Sequence, residues 1–218
     1  MSDTLIKHTI KTASTLTAFA LVGTAILAYI FIITRAPIEA SEAEARLALF
    51  SQILPHQTYD NDLLKTELMI PPNPLLGNRT PSKANIAKLG DEPAGVILEA
   101  IAHDGYAGDI KLLIAIRADG TVSGVRVLTH KETPGLGDYI EIERDDWITQ
   151  FNDESLAKTT TQQWAVTKDG GKFEYMAGAT ITPRAIVKAM AKALQFFNEN
   201  KSQLLASKTV GEVQPSKD

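Results

Sequence analysis

The chain has 218 residues and no cysteine. That excludes disulfides, thiolate zinc sites, cysteine-ligated iron–sulfur clusters and a cysteine nucleophile together. Histidine is scarce as well, with four scattered copies, so a histidine-rich metal site is not expected. Positive charge is in deficit: the net charge of −4 argues against a protein built to hold nucleic-acid phosphates. Low complexity and internal repeats are absent too. What remains is an ordinary folded mixture, 44% hydrophobic and 22% charged.

One further absence organises the chain. Residues 12–34, TASTLTAFALVGTAILAYIFIIT, are 23 positions without a charge. As a helix they span about 34 Å, enough for a hydrocarbon core of about 30 Å. The run exceeds the apolar stretch of a cleaved signal peptide, and Arg35-Ala36-Pro37 is a poor cleavage site. An uncleaved anchor is therefore expected, with Ala18, Ala20, Gly23, Thr24 and Ala28 forming a small-residue surface for another helix. Lys7 and Lys11 precede the span, whereas Arg35 is soon followed by Glu39, Glu42 and Glu44, which points the N-terminus to the cytoplasm and the body across the membrane. Lys7, Lys11 and Arg35 against Asp3 give residues 1–35 a charge of +2, leaving −6 for the rest. An acidic body beyond a membrane has no evident nucleic-acid role.

In that body, Ser41–Glu44 forms a capping-box pattern, expected to open an amphipathic helix that Pro55 stops. Residues 60–92 contain Pro71, Pro72, Pro74 and Pro81 and read as irregular surface. Residues 95–102, GVILEAIA, read as a buried strand. Residues 109–117 alternate, with Ile110, Leu112, Ile114 and Ile116 on one face. Asp119-Gly120 turns the chain, and 121–128 return with Val122, Val125 and Val127. The change of parity at Ser123-Gly124 predicts a bulge. The fold class expected is α+β: a mainly antiparallel sheet with packed helices, plus one N-terminal transmembrane helix.

Two segments look chemical. Residues 129–142, THKETPGLGDYIEI, crowd Pro134, Gly135 and Gly137 behind Thr133, with Leu136 between the glycines. Such a loop brings backbone amides close to a planar ligand, or is simply a surface turn. His130 and Glu132 stand two apart, but no third metal ligand is in view and no metal is expected. Residues 169–192, DGGKFEYMAGATITPRAIVKAMAK, read as a turn, a short strand over 173–177, a Gly178-Ala179-Thr180 break, and a helix capped by Thr182 with Pro183 first. Ile186, Met190, Leu194 and Phe197 follow the helical period. A threonine hydroxyl at such a helix N-terminus suits a phosphate, although an ordinary strand-to-helix turn looks the same. The residues alone do not choose Thr180 over Thr182.

Together HKETPGLGD and MAGATITPRAIVKAM, behind a single anchor, resemble the G subunit of the Rnf-type ion-translocating electron transport complex of bacterial inner membranes. A related component of the sodium-translocating NADH:quinone reductase shares the same flavin-binding domain. The resemblance covers nearly the whole chain. It implies FMN joined by a phosphoester to Thr180, attached by a separate flavin transferase that uses FAD. Gly178, Ala179, Thr182, Thr133, Gly135, Leu136 and Gly137 are the accompanying candidate cofactor-binding residues. The implied organisation is a cytoplasmic N-terminus (1–11), a transmembrane helix (12–34), a helix and irregular linker (35–92), an FMN-binding domain (93–206) and a polar tail (207–218). The implied partners are the other subunits of the complex, with the soluble domain periplasmic. Two positions depart from the family pattern: Ala177 replaces a hydroxyl residue before Gly-Ala-Thr, and Glu174 stands where Asp is common, which implies slower flavin attachment. No catalytic side chains are expected, because a flavin carries its own redox chemistry. The alternative is an anchored extracytoplasmic ligand-binding or sensor module without a redox role.

Overall fold

The computed structural model describes residues 2–206, with side chains of the first helix described from Ile6. The expected polar tail, 207–218, lies outside the described residues. The chain divides after Arg46 into two units. The first is helical, part of α1 (Ser2–Ile53), and is long and apolar enough to cross a membrane. Its apolar side chains face outward from the protein, Phe19 74% and Leu27 70% exposed. Arg35 pairs with Glu39 one turn on, at 2.7 Å, just past the uncharged run. The capping box expected at Ser41–Glu44 does not start a helix. These residues lie inside α1, where a helix already formed leaves no orphan amides for Ser41 to cap.

The second unit is built on one antiparallel sheet of five strands in the order β1 (Glu67–Ile70), β2 (Ser82–Leu89), β3 (Glu92–Gly105), β4 (Gly108–Arg117) and β5 (Val122–Thr129). Strands adjacent in sequence are adjacent in space, the simplest meander. Period-two alternation gives the sheet two apolar faces. Val96, Leu98, Ala100, Ile110, Leu112, Ile114 and Ile116 lie in the larger core, against the helix α2 (Ile181–Ala206). Ile97, Leu113 and Ala115 point the other way and join Phe50 and Ile53 from the end of α1 and Leu54 just after it. The expected hairpin of β4 and β5 is present with its bulge. Val122 pairs with Ile116 and Gly124 with Ala115, leaving Ser123 unpaired.

Two local readings are corrected. Residues 60–92, expected to be irregular, contain β1 and β2. Pro71, Pro72, Pro74 and Pro81 all fall in the connection between them, where no ladder amide is needed. Residues 173–177, expected as a short strand, form only a single bridge, Phe173 to Val166. Their backbone is satisfied by side chains instead: Gln150 Oε1 accepts from the Glu174 amide at 2.8 Å, and the Trp147 indole donates to the Glu174 carbonyl at 2.7 Å.

Beneath this segment lies an aromatic cluster. Tyr139 and Trp147 meet edge to face at 5.6 Å, as do Trp147 and Phe151, while Phe173 packs at 4.8 Å from Phe151 and 5.0 Å from Trp164. Such pairs add to simple burial and fix ring orientation. The cluster anchors the 3₁₀ turn Asp146–Phe151 and the chain that leads into α2.

Candidate functional site

The two chemical-looking segments meet. The loop after β5 and the start of α2 face each other across a cavity of about 310 Å³, lined by Glu132, Thr133, Leu136 and Gly137 from one side and residues 178–182 from the other. Tyr106, from the turn between β3 and β4, completes the lining. This volume is at the lower end of small-ligand sites.

Each wall has a local cause. On the loop, the Gly137 amide donates to the Thr133 carbonyl at 2.8 Å, and Asp138 Oδ1 accepts from the Gly135 amide at 2.8 Å. These bonds fold Pro-Gly-Leu-Gly into a tight turn with Leu136 on its outside, 42% exposed. On the facing side, Gly178 has φ +92°, a left-handed conformation that turns the chain from the aromatic cluster into α2. A Cβ there would stand 3.5 Å from Leu136, so the two motifs approach closely.

The helix α2 begins at Ile181, one residue after Thr180 and one before Thr182. Thr182 is therefore not the cap that the sequence suggested. It occupies the first turn, 1% exposed, and its hydroxyl donates to Glu132 Oε2 at 2.5 Å. Pro183 follows where a missing amide is harmless. Thr180 is half-buried on the cavity, and its hydroxyl makes no hydrogen bond among the described residues. Its carbonyl accepts from the Arg184 amide at 3.4 Å. The Arg184 guanidinium is held at 2.5 Å by both oxygens of Asp169, and this hydrogen-bonded pairing keeps the Asp169 carboxyl below its ordinary range.

Of the sequence candidates, Thr133, Leu136, Gly137, Gly178, Ala179, Thr180 and Thr182 line the cavity together. Gly135 does not; it borders a separate depression of about 320 Å³ with Tyr139, Arg144 and Met176. His130 and Glu132 do not converge on a common point. His130 Nε2 donates to Glu141 at 2.9 Å and its Nδ1 accepts from the Glu132 amide, while the Glu132 side chain turns into the cavity wall. Sequence reasoning missed Tyr106 and Ile181, and considered Glu132 only as a metal ligand. Tyr106 carried one signal, a large aromatic in a Gly-bounded turn, and it is 69% exposed.

Fold and site define the class: a sheet domain with a small-ligand cavity, following in sequence a helix long and apolar enough to cross a membrane. Residues 105–195 match the FMN-binding domain family, and residues 1–53 match the RnfG N-terminal region. Among curated proteins, the G subunit of the ion-translocating oxidoreductase complex of Pseudomonas aeruginosa is 44% identical over 197 residues, covering 90% of this chain and 92% of that protein. The corresponding G subunits of Shewanella loihica and Vibrio atlanticus are 42% and 40% identical, covering 94% and 90% of this chain and 97% and 93% of their own. The chain belongs to the RnfG family, the G subunits of ion-translocating oxidoreductase complexes.

Proposed function

We propose that this protein is the membrane-anchored flavoprotein of an ion-translocating oxidoreductase complex, relaying electrons through FMN held covalently on Thr180. The family match to an FMN-binding domain and the RnfG-type relatives support FMN and a multi-subunit redox complex. The observation that carries the choice of residue is the contrast between two threonines on one cavity. Thr180 presents a hydroxyl that has no hydrogen-bond partner among the described residues at the mouth of α2, whereas the Thr182 hydroxyl is buried and committed to Glu132. A phosphoester on Thr180 places the phosphate beside the first amides of α2 and the positive end of its dipole.

The residues fit the group. Gly137, Gly178 and Ala179 keep the walls thin, Leu136 and Ile181 offer apolar cover, and Tyr106 offers an aromatic face. Attachment transfers the FMN half of FAD to Thr180 Oγ1 in a separate transferase: the new bond is Oγ1 to phosphorus, and the bond to the departing AMP breaks. When bound, the flavin takes up two electrons and releases them singly. The chain's own residues orient it and exclude water. Ion movement belongs to partner subunits, because a single span without internal charge offers an ion no path. The positive flank at Lys7 and Lys11 supports an inner-membrane protein with its N-terminus cytoplasmic and the second unit periplasmic.

The test is to co-produce the full chain with a FAD-dependent flavin transferase and look for flavin fluorescence on a denaturing gel. Wild type and Thr182→Val should fluoresce and Thr180→Val should be dark. Fluorescence that survives Thr180→Val but not Thr182→Val would move the site. A dark wild type would return the chain to the sensor reading.

A further inference from the structure

We propose that Glu132 is a fixed anionic wall of the cavity that holds down the reduction potential of the flavin bound there. The inference rests on the flavin reading above and concerns a residue to which that reading gives no role.

Glu132 is 4% exposed and lines the cavity. Both carboxyl oxygens accept hydrogen bonds: Oε1 from the Ala107 amide at 3.0 Å, Oε2 from the Thr182 hydroxyl at 2.5 Å. That is how a carboxylate, an acceptor on both oxygens, is satisfied. Among the described residues no lysine, arginine or histidine forms an ion pair with it. Two glycines make room for it. A Cβ on Gly105 would lie 2.9 Å from Oε1, and one on Gly137 would lie 3.0 Å from the Glu132 Cβ.

A buried carboxylate without a counter-ion is unfavourable unless something else uses it. Tying three segments together does not require charge, since a glutamine of the same length reaches the same partners. What a glutamine lacks is the negative field. Leu136, Ala179 and Ile181 line the same cavity, and an apolar lining screens a charge less than water does. Reduction adds negative charge to a flavin, so a fixed carboxylate on the same cavity opposes it and lowers the potential. The Thr182 hydroxyl and the Ala107 amide keep the carboxylate in place.

The experiment uses the full chain co-produced with the transferase and solubilised in detergent. Flavin occupancy is read from the mass of the peptide containing Thr180, and the midpoint potential from spectroelectrochemical titration at fixed pH. Glu132→Gln should retain the flavin and shift its midpoint potential to a more positive value. Glu132→Asp, which keeps the charge, should stay closer to wild type than Glu132→Gln does. If Glu132→Gln gives no loaded protein, Glu132→Met provides the neutral variant of similar length, with the same shift expected. An unchanged or more negative potential in a loaded neutral variant overturns the proposal. So does failure of both neutral variants to carry flavin while Glu132→Asp does, because the carboxylate then serves assembly and not tuning. A bare Thr180 peptide in wild type overturns the flavin reading itself, and is seen before any variant is compared.

Discussion

Replacing Thr182 by valine tests the arrangement of the site in energetic terms. The substitution preserves size and β-branching, so it opens no cavity and changes helix propensity little. It removes one hydroxyl, at a position 1% exposed, that donates at 2.5 Å to a carboxylate 4% exposed. A hydrogen bond to a charged group is worth about 1.5–3 kcal/mol, and Glu132 would be left with the Ala107 amide as its remaining donor. A loss of about 2 kcal/mol is expected, lowering Tm by roughly 4–8 °C for a unit of this size. Thr180→Val removes a hydroxyl that bonds nothing among the described residues and should change stability by less than about 0.5 kcal/mol. The assay is unfolding of the full chain in detergent, made without the transferase so that ligand binding does not contribute. Trp147 and Trp164, the two tryptophans of the chain, both lie in the aromatic cluster and report unfolding by fluorescence. A Thr182→Val protein as stable as wild type, or a Thr180→Val protein equally destabilised, would refute the hydrogen-bond argument.

Other outcomes follow from the same structure. Burial pushes the Tyr139 hydroxyl up to about 12 from an ordinary 10, so the folded state resists its ionisation. That contribution is complete below pH 10 and is lost as pH rises towards 12; roughly 2–3 kcal/mol disappears over this window, and Tyr139→Phe should flatten it in pH-dependent urea unfolding. Burial of Glu154 opposes its ionisation, but hydrogen bonds from Lys172, Thr159 and Lys158 outweigh it and hold the carboxyl below its ordinary 4.5. Its stabilisation is therefore present above pH 4.5 and lost as acid protonates it, and Glu154→Gln should show a shallower decline of stability below that pH. Because the chain has no cysteine, Gln195→Cys gives a single label site on α2. A membrane-impermeant maleimide added to spheroplasts should label it without lysis, and labelling only after lysis would reverse the orientation.

The sequence was most readable where burial repeats with a short period. Ile110, Leu112, Ile114 and Ile116 announce β4, and the broken parity at Ser123-Gly124 announces the bulge in β5. The edge of the sheet was obscured because four prolines dominate residues 60–92, although they mark one connection and leave Leu68, Ile70, Ala84 and Ile86 free to be buried in strands. Residues 173–177 failed as a strand for a non-local reason: Gln150 and Trp147, more than twenty residues away, supply the partners that a neighbouring strand would. At the site, composition picked out both loops, since glycines and a helix start leave local marks. The contrast between Thr180 and Thr182 was hidden because it depends on Glu132, fifty residues upstream, which reaches the latter. Tyr106 and Glu132 join the cavity only through the pairing of β3, β4 and β5, which no spacing rule encodes.

The central claim concerns one oxygen atom, Thr180 Oγ1. Its most direct measurement is the mass of the proteolytic peptide spanning that residue, taken from membranes of a host that carries the attaching enzyme. The account predicts a peptide heavier by one FMN less one water, with fragmentation placing the addition on Thr180. An unmodified peptide, or an addition placed on Thr182, would contradict it.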